Sequence, residues 1–284
     1  MISIITDSDS SIPVEMAKKY GVRLVPISIQ FGEDVYDACT EIDDKQVFAR
    51  IDKEERLPTT AAPSPGKFSE AYQDAVEKDK ADAIVCFCVS GEVSATYSAA
   101  KLAAEEFSSK VQIEVIDTRS LTMAQGYMAL AAAEAAKRGK SIEQILAAAT
   151  ATGKRAHVYG ALNTLKYLSM SGRVSHLAAG MAGMLNIKPI RSVQNGKLDL
   201  LEKIRTRKKS RIRVIELAQQ DVGDKKIEKM CILHVTADEE ALEFEEMLRK
   251  SIDCPDEMPL VSLNPGLSIH TGAGLVGISF VVAD

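Results

Sequence analysis

The sequence predicts an α/β protein of two domains. A Rossmann-like N-terminal domain on a parallel sheet is expected over residues 1–155, and a mixed α/β domain over residues 156–284, with a ligand cleft between them. Three observations carry this expectation. In the first half, apolar strand, polar loop and helix recur in that order, which is the signature of a parallel sheet covered by helices on both faces. Beyond about residue 156 the order breaks into hairpin and helix signals, the strongest being Asn195-Gly196 between two strand-like runs. A chain of 284 residues with 46% hydrophobic and 26% charged residues has ordinary globular composition and enough length for two cores.

The elements follow from local pattern. Residues 2–5 form a short apolar strand that ends in the polar run Thr6-Asp7-Ser8-Asp9-Ser10-Ser11, and Pro13 opens a helix to about residue 20. Residues 22–31 are rich in β-formers, and 34–41 read as a turn-rich excursion. Residues 43–52 and 65–80 are helical, and 83–89 form a wholly apolar, buried strand. A helix over 98–108, a strand over 111–116 and an alanine-rich helix over 124–138 follow. Ser141 and Gln144 have capping-box spacing at the head of a helix over 141–151. The second half offers a strand at 157–161, a helix at 162–168, a small apolar segment at 178–185, and strands at 188–193 and 198–204. Helices at 209–219 and 238–251 and strands at 230–236 and 275–282 complete it.

One stretch fits no period. Residues 57–68 carry Pro58, Pro63 and Pro65 with hydroxyls at Thr59, Thr60 and Ser64, and are expected to be neither a half-buried strand nor an amphipathic helix. Ser64 is placed as N-cap and Pro65 as first residue of the next helix. A stiff run of hydroxyls beside a helix N-terminus is suited to an anion, although an ordinary helix entry explains the same letters.

Composition excludes some classes. The net charge of -5 argues against a general nucleic-acid binder. Five scattered cysteines do not form a disulfide framework, and Cys86 and Cys88, alternating in an apolar run, read as small hydrophobes rather than zinc ligands. The chain opens directly on a strand, and no apolar run reaches spanning length, so a cytoplasmic protein with no integral membrane segment is expected. No metal or cofactor motif is visible: there is no HExxH, Walker A or GxSxG.

The chemistry-bearing residues cluster in loops. Ser90, Ser94, Thr96 and Ser98, then Thr118, Ser120 and Thr122, follow predicted strands at the sheet edge where open α/β folds bind ligands. Helix capping accounts for one hydroxyl per loop, not three or four. Gly272-Ala273-Gly274-Leu275-Val276-Gly277 matches a dinucleotide fingerprint in letters only, since a strand rather than a helix is expected after it; these glycines suit close backbone approach or a turn. His270 and Thr271 sit in what reads as a glycine-rich loop. Seven basic residues between Lys203 and Arg213 read first as a solvated helix start paired with nearby acids, and second as a docking face for an acidic partner or a phosphate.

Taken together, Thr6-Asp7-Ser8, Pro58-Thr59-Thr60 with Pro63-Ser64-Pro65, Ser94-Ala95-Thr96-Tyr97, Ile116-Asp117-Thr118, Ser171-Gly172-Arg173-Val174-Ser175 and His270-Thr271-Gly272-Ala273-Gly274 resemble the DegV family of bacterial fatty-acid-binding proteins over essentially the whole chain. The resemblance implies a lipid-binding protein rather than an enzyme, holding one long-chain fatty acid such as palmitate in a buried tunnel between two domains, with no cofactor. It implies that Thr60, Ser94 and His270 hold the carboxylate, with Thr59, Ser64, Thr96, Thr271 and Gly272 in supporting loops. It further implies a partner, an ATP-using fatty acid kinase subunit that phosphorylates the presented carboxylate, with Arg173 serving that step. Ala95, where the family usually has glycine, and Ala61-Ala62, in place of more polar residues, depart from the pattern without removing a relevant hydroxyl.

The chemistry is consistent. A carboxylate leaving water needs charge-assisted hydrogen bonds or it protonates, and hydroxyls with an imidazole supply donors without a permanent charge. Two other readings stay open on sequence: a free-standing hydrolase on a small anionic substrate using Ser94 and His270, and a regulator whose lipid is structural. The hydrolase needs an activated serine and an oxyanion hole.

Overall fold

The structure, a computed structural model, describes residues 1–171 and 187–284. Along the chain, β1 (Ile2–Asp7) runs into a 3₁₀ turn (Ser8–Ser10), α1 (Val14–Tyr20), β2 (Val22–Val25), β3 (Ser28–Phe31), β4 (Asp34–Asp37), α2 (Asp44–Glu54), β5 (Thr59–Ala61) and α3 (Pro65–Glu77). Then come β6 (Ala83–Cys88), α4 (Thr96–Phe107), β7 (Gln112–Asp117), α5 (Thr122–Lys137), α6 (Ile142–Arg155), β8 (Ala156–Ala161) and α7 (Lys166–Ser171). The chain closes with β9 (Lys188–Gln194), β10 (Lys197–Ile204), α8 (Arg207–Val222), β11 (Ile227–His234), α9 (Asp238–Arg249), β12 (Leu260–Ser262), α10 (Pro265–Thr271) and β13 (Val276–Val282). Two units emerge. The first comprises Met1–Glu41, Thr59–Lys154 and Asn195–Lys197; the second comprises Ile42–Pro58, Arg155–Gln194 and Leu198–Asp284.

The first unit contains the expected all-parallel sheet, in the order β2-β1-β6-β7. Its central strand β6 is buried at every position, as a strand covered on both faces must be. Ile5, Ile84, Cys86 and Cys88 share one core with Phe68 and Tyr72 of α3 and Ala100, Ala103 and Phe107 of α4, so the two cysteines are core residues. α5 packs against β1 and is buried almost all round, which suits its alanine-rich, weakly amphipathic sequence. A Cβ on Gly126 of this helix would lie 3.0 Å from the Ser10 carbonyl, so the helix and the turn after β1 approach closely.

A small antiparallel sheet β4-β3-β5 was not expected. Residues 34–41 contain a strand where only a turn was read, and the proline-rich 57–68 stretch contains β5, contrary to the expectation of no strand there. β5 has only three residues, too few to display an alternation, and pairs Thr60 with Ile29. Ser64 and Pro65 hold the expected cap positions, Ser64 Oγ accepting from Lys67 N. Ser141 and Gln144 make both capping-box bonds.

The second unit is built on a six-stranded mixed sheet, β10-β9-β8-β13-β11-β12, in which β11 and β12 are parallel and the β11–β13, β13–β8 and β8–β9 pairs antiparallel. Val214, Ile215 and Ala218 of α8 and Ala241, Phe244 and Leu248 of α9 form one core with Ile232, Ile278 and Phe280 of the sheet. Asn195 and Gly196 both have positive φ, 51° and 84°, as a type I′ turn requires. Two elements escaped the sequence reading: the three-residue β12, and α10, where a glycine-rich loop was expected.

Candidate functional site

In the order β2-β1-β6-β7 the chain winds outward in opposite directions from β1 and β6. The crevice of such a sheet opens beyond the carboxyl ends of those two strands. β1 ends there at Asp7, which is fully buried. One carboxylate oxygen accepts from Val89 N at 2.7 Å and Gln125 Nε2 at 3.1 Å; the other accepts from Asp9 N at 2.9 Å. Burial pushes the Asp7 carboxyl up to about 6, against the opposing pull of these hydrogen bonds, led by that from Val89. Ser8 Oγ accepts from Ile27 N at 2.9 Å. Val89 opens the loop that carries Ser94, and Ile27 directly precedes β3, the partner of the strand that carries Thr60. Thr6-Asp7-Ser8 therefore brackets both hydroxyl-bearing segments to the end of β1.

Two of the loop hydroxyls hold backbone carbonyls. Ser90 Oγ donates to Gly196 O at 2.7 Å, and Thr118 Oγ1 donates to Cys88 O at 2.8 Å. Ser94 behaves differently. It lies just ahead of α4, where its Oγ is 2.8 Å from Thr96 Oγ1 and accepts from Thr96 N at 3.3 Å. When Thr96 also donates its hydroxyl, Ser94 accepts twice and keeps its own proton for a further acceptor. Thr59 and Thr60 lie on β5, Thr60 half-buried and Thr59 exposed. Ser64 is spent on capping α3. Lys67, one turn into that helix, pairs with Asp37 and donates to Ser28 Oγ at 3.1 Å, which fixes α3 to the small sheet.

In the second unit, His270 and Thr271 close α10, whose N-terminus is capped by Asn264 Oδ1 accepting from Gly266 N at 2.7 Å. Thr271 Oγ1 donates back to Ser268 O at 3.2 Å. Gly272 ends the helix at φ 84°, and the Tyr167 ring occupies the place a Cβ would take. A Cβ on Gly274 would lie 3.1 Å from Asn163 Nδ2, and one on Gly277 would strike the Tyr159 carbonyl of the neighbouring strand. A strand, β13, follows Gly272 and Gly274 and contains Gly277 where a helix would be required, so close approach explains the motif and the dinucleotide reading is excluded. Arg173 lies outside the described residues.

Asp44, at the first position of α2, is the buried acid that sequence reading missed. It accepts hydrogen bonds from Ser262 Oγ at 3.0 Å and from Ser268 Oγ. Burial pushes its carboxyl up to about 7, partly offset by the two serines. Locally Asp44 reads only as an acid in a helix's first turn, and its partners lie 218 and 224 residues away. Among the described residues no cluster of three His, Cys, Asp or Glu side chains is arranged to hold a metal ion, and no helix is long and apolar enough to cross a membrane.

Part of the basic run is ion-paired, as its first reading expects. Arg207 pairs with Glu240, Arg211 with Glu243, and Arg213 with Glu202 and Glu216.

A sequence model of the DegV family, described as uncharacterised protein, matches residues 1–283. A DegV domain-containing protein of Streptomyces coelicolor is 31% identical over 277 residues, 98% of this chain and 97% of its own length. One from Mycobacterium tuberculosis is 32% identical over 278 residues, 98% of this chain and 96% of its own. Among solved structures, a DegV family protein from Thermus thermophilus, described for its fatty acid binding, superposes with a TM-score of 0.90 at 28% identity, covering 99% of each chain. DegV from Bacillus subtilis, described as a fatty acid binding protein, gives 0.88 at 29% identity, again over 99% of each.

Proposed function

The chain belongs to the DegV family, and we propose that it binds one long-chain fatty acid, of about palmitate length, and presents the carboxylate to a separate ATP-using kinase subunit. The observation that carries the reading is the whole-chain match, at 28% and 29% identity, to two proteins described as binding fatty acids. The proposed carboxylate ligands are Thr60, Ser94 and His270, with Thr96 priming Ser94. Arg173 is assigned to the phosphoryl-transfer step. An aliphatic tail supplies most of the affinity. About 14 methylenes at roughly 0.8 kcal/mol each give on the order of 11 kcal/mol before the cost of association.

The headgroup decides what the bound lipid can do. Neutral donors hold a carboxylate without quenching its nucleophilicity, which suits attack on a phosphoryl donor. A hydrolase would require a base on Ser94, and its described partners are the Thr96 hydroxyl and N–H. Titration of the delipidated protein with palmitate tests the reading: saturable one-to-one binding is expected, and hydrolysis of an ester substrate with no palmitate binding would replace it with the hydrolase.

A further inference from the structure

The second unit contains a buried clamp outside the residues so far assigned to the lipid. α2 presents Asp44, Val47, Phe48 and Ile51 on one buried face, at the spacing of a helix stripe. Asp44 reaches the segment that carries His270 directly, and Phe48 reaches its end through Tyr167. Asp44 accepts from Ser268 Oγ within α10, and from Ser262 Oγ at the end of β12, just before it. One turn on, Phe48 meets the edge of the Tyr167 ring, with centroids 6.2 Å apart, and that ring lies against Gly272 at the end of α10. α10 has only seven residues, so its own hydrogen bonds hold it weakly. Ser268 and His270 are two positions apart, about 200° around a helix, so an anchor on Ser268 sets the direction of His270 on the far side.

We propose that Asp44 is a positioning residue for lipid binding: by clamping Ser262 and Ser268 it fixes the rotation of α10 and thereby aims the His270 imidazole at the fatty-acid headgroup. The proposal rests on His270 being a headgroup ligand. Asp44 does not touch the lipid and acts through the histidine. A polar residue rather than an apolar one stands on this buried face of α2 because two serine hydroxyls from different elements converge on it, each at its own carboxyl oxygen. An asparagine of the same shape accepts from one serine and donates to the other, and so retains the clamp.

The experiment is calorimetric titration of the delipidated full chain with palmitate, for wild type, Asp44→Ala, Asp44→Asn, Ser268→Ala, His270→Ala and the double variant Asp44→Ala/His270→Ala. Asp44→Ala and Ser268→Ala are expected to weaken palmitate about tenfold, and Asp44→Asn to restore most of the loss. In the His270→Ala background, Asp44→Ala is expected to add nothing. Unchanged affinity in His270→Ala itself overturns the headgroup role of the histidine and the clamp with it. A weakened His270→Ala, with Asp44→Ala costing the same tenfold in both backgrounds, overturns the clamp alone. Should Asp44→Ala fail to fold, Ser268→Ala alone and combined with His270→Ala makes the same comparison.

Discussion

Two hydroxyls carry the headgroup proposal, and they differ in what else they hold. Thr60 sits on a three-residue strand, so Thr60→Val removes the hydroxyl while keeping a β-branched side chain. Ser94 also accepts from Thr96 N ahead of α4, so Ser94→Ala loses a cap-like bond as well. Each variant is expected to weaken fatty-acid binding by about 1.5–3 kcal/mol, the range for hydrogen bonds to a charged group. Ser94→Ala alone should also lose about 1 kcal/mol of stability. Titration and urea unfolding of both variants check this, and unchanged affinity in both would remove the two residues from the headgroup. Asp44 supplies a second residue-scale test. Its native pKa of about 7 lies above the ordinary 3.8, so the native state holds a proton that the unfolded chain releases. The stability this contributes is complete below about pH 4 and is lost as pH rises through about 7. Asp44→Asn has no such dependence. The variant should therefore gain stability relative to wild type between about pH 5 and about pH 7.5, and a pH-independent difference in urea unfolding would contradict the burial argument.

At the scale of elements, the turn after β1 should be structurally expensive to alter. Asp7→Ala leaves Val89 N–H and Asp9 N–H without their buried acceptor and takes one of two from the Gln125 amide, which keeps Thr6 Oγ1, a loss on the order of 3 kcal/mol. Gly272→Ala must displace the Tyr167 ring and hold alanine at φ 84°, which should cost on the order of 2–3 kcal/mol. A melting temperature equal to wild type in either variant would contradict the packing described. The parallel sheet was legible because its two inner strands, β1 and β6, are buried almost throughout and read as apolar runs. β5 was not, because three residues between prolines show no period. α10 carried a usable signal that was passed over. Asn264-Pro265 has the same cap-and-proline form as Ser64-Pro65, but the glycines behind it suggested a loop. The Asp44 clamp had no local signal, since its bonds join segments more than two hundred residues apart in the chain.

For the whole molecule, the question is what the chain carries and to whom. Of the residues assigned by family resemblance, Arg173 is the one given to the partner's chemistry, so Arg173→Ala should bind palmitate as wild type does yet yield little acyl phosphate with the cognate kinase. Equal product at saturating kinase would remove that role. Arg207, Arg211 and Arg213 of the basic run are matched by acids, which makes the start of α8 an ion-paired element. The central claim, that this DegV protein is a fatty-acid carrier, is tested most directly by native mass spectrometry of the purified full chain. The account predicts a species heavier than the polypeptide by one long-chain fatty acid, which dissociates on denaturation and falls in occupancy in Thr60→Val and Ser94→Ala. A bare polypeptide mass that stays unchanged after incubation with palmitate would contradict it.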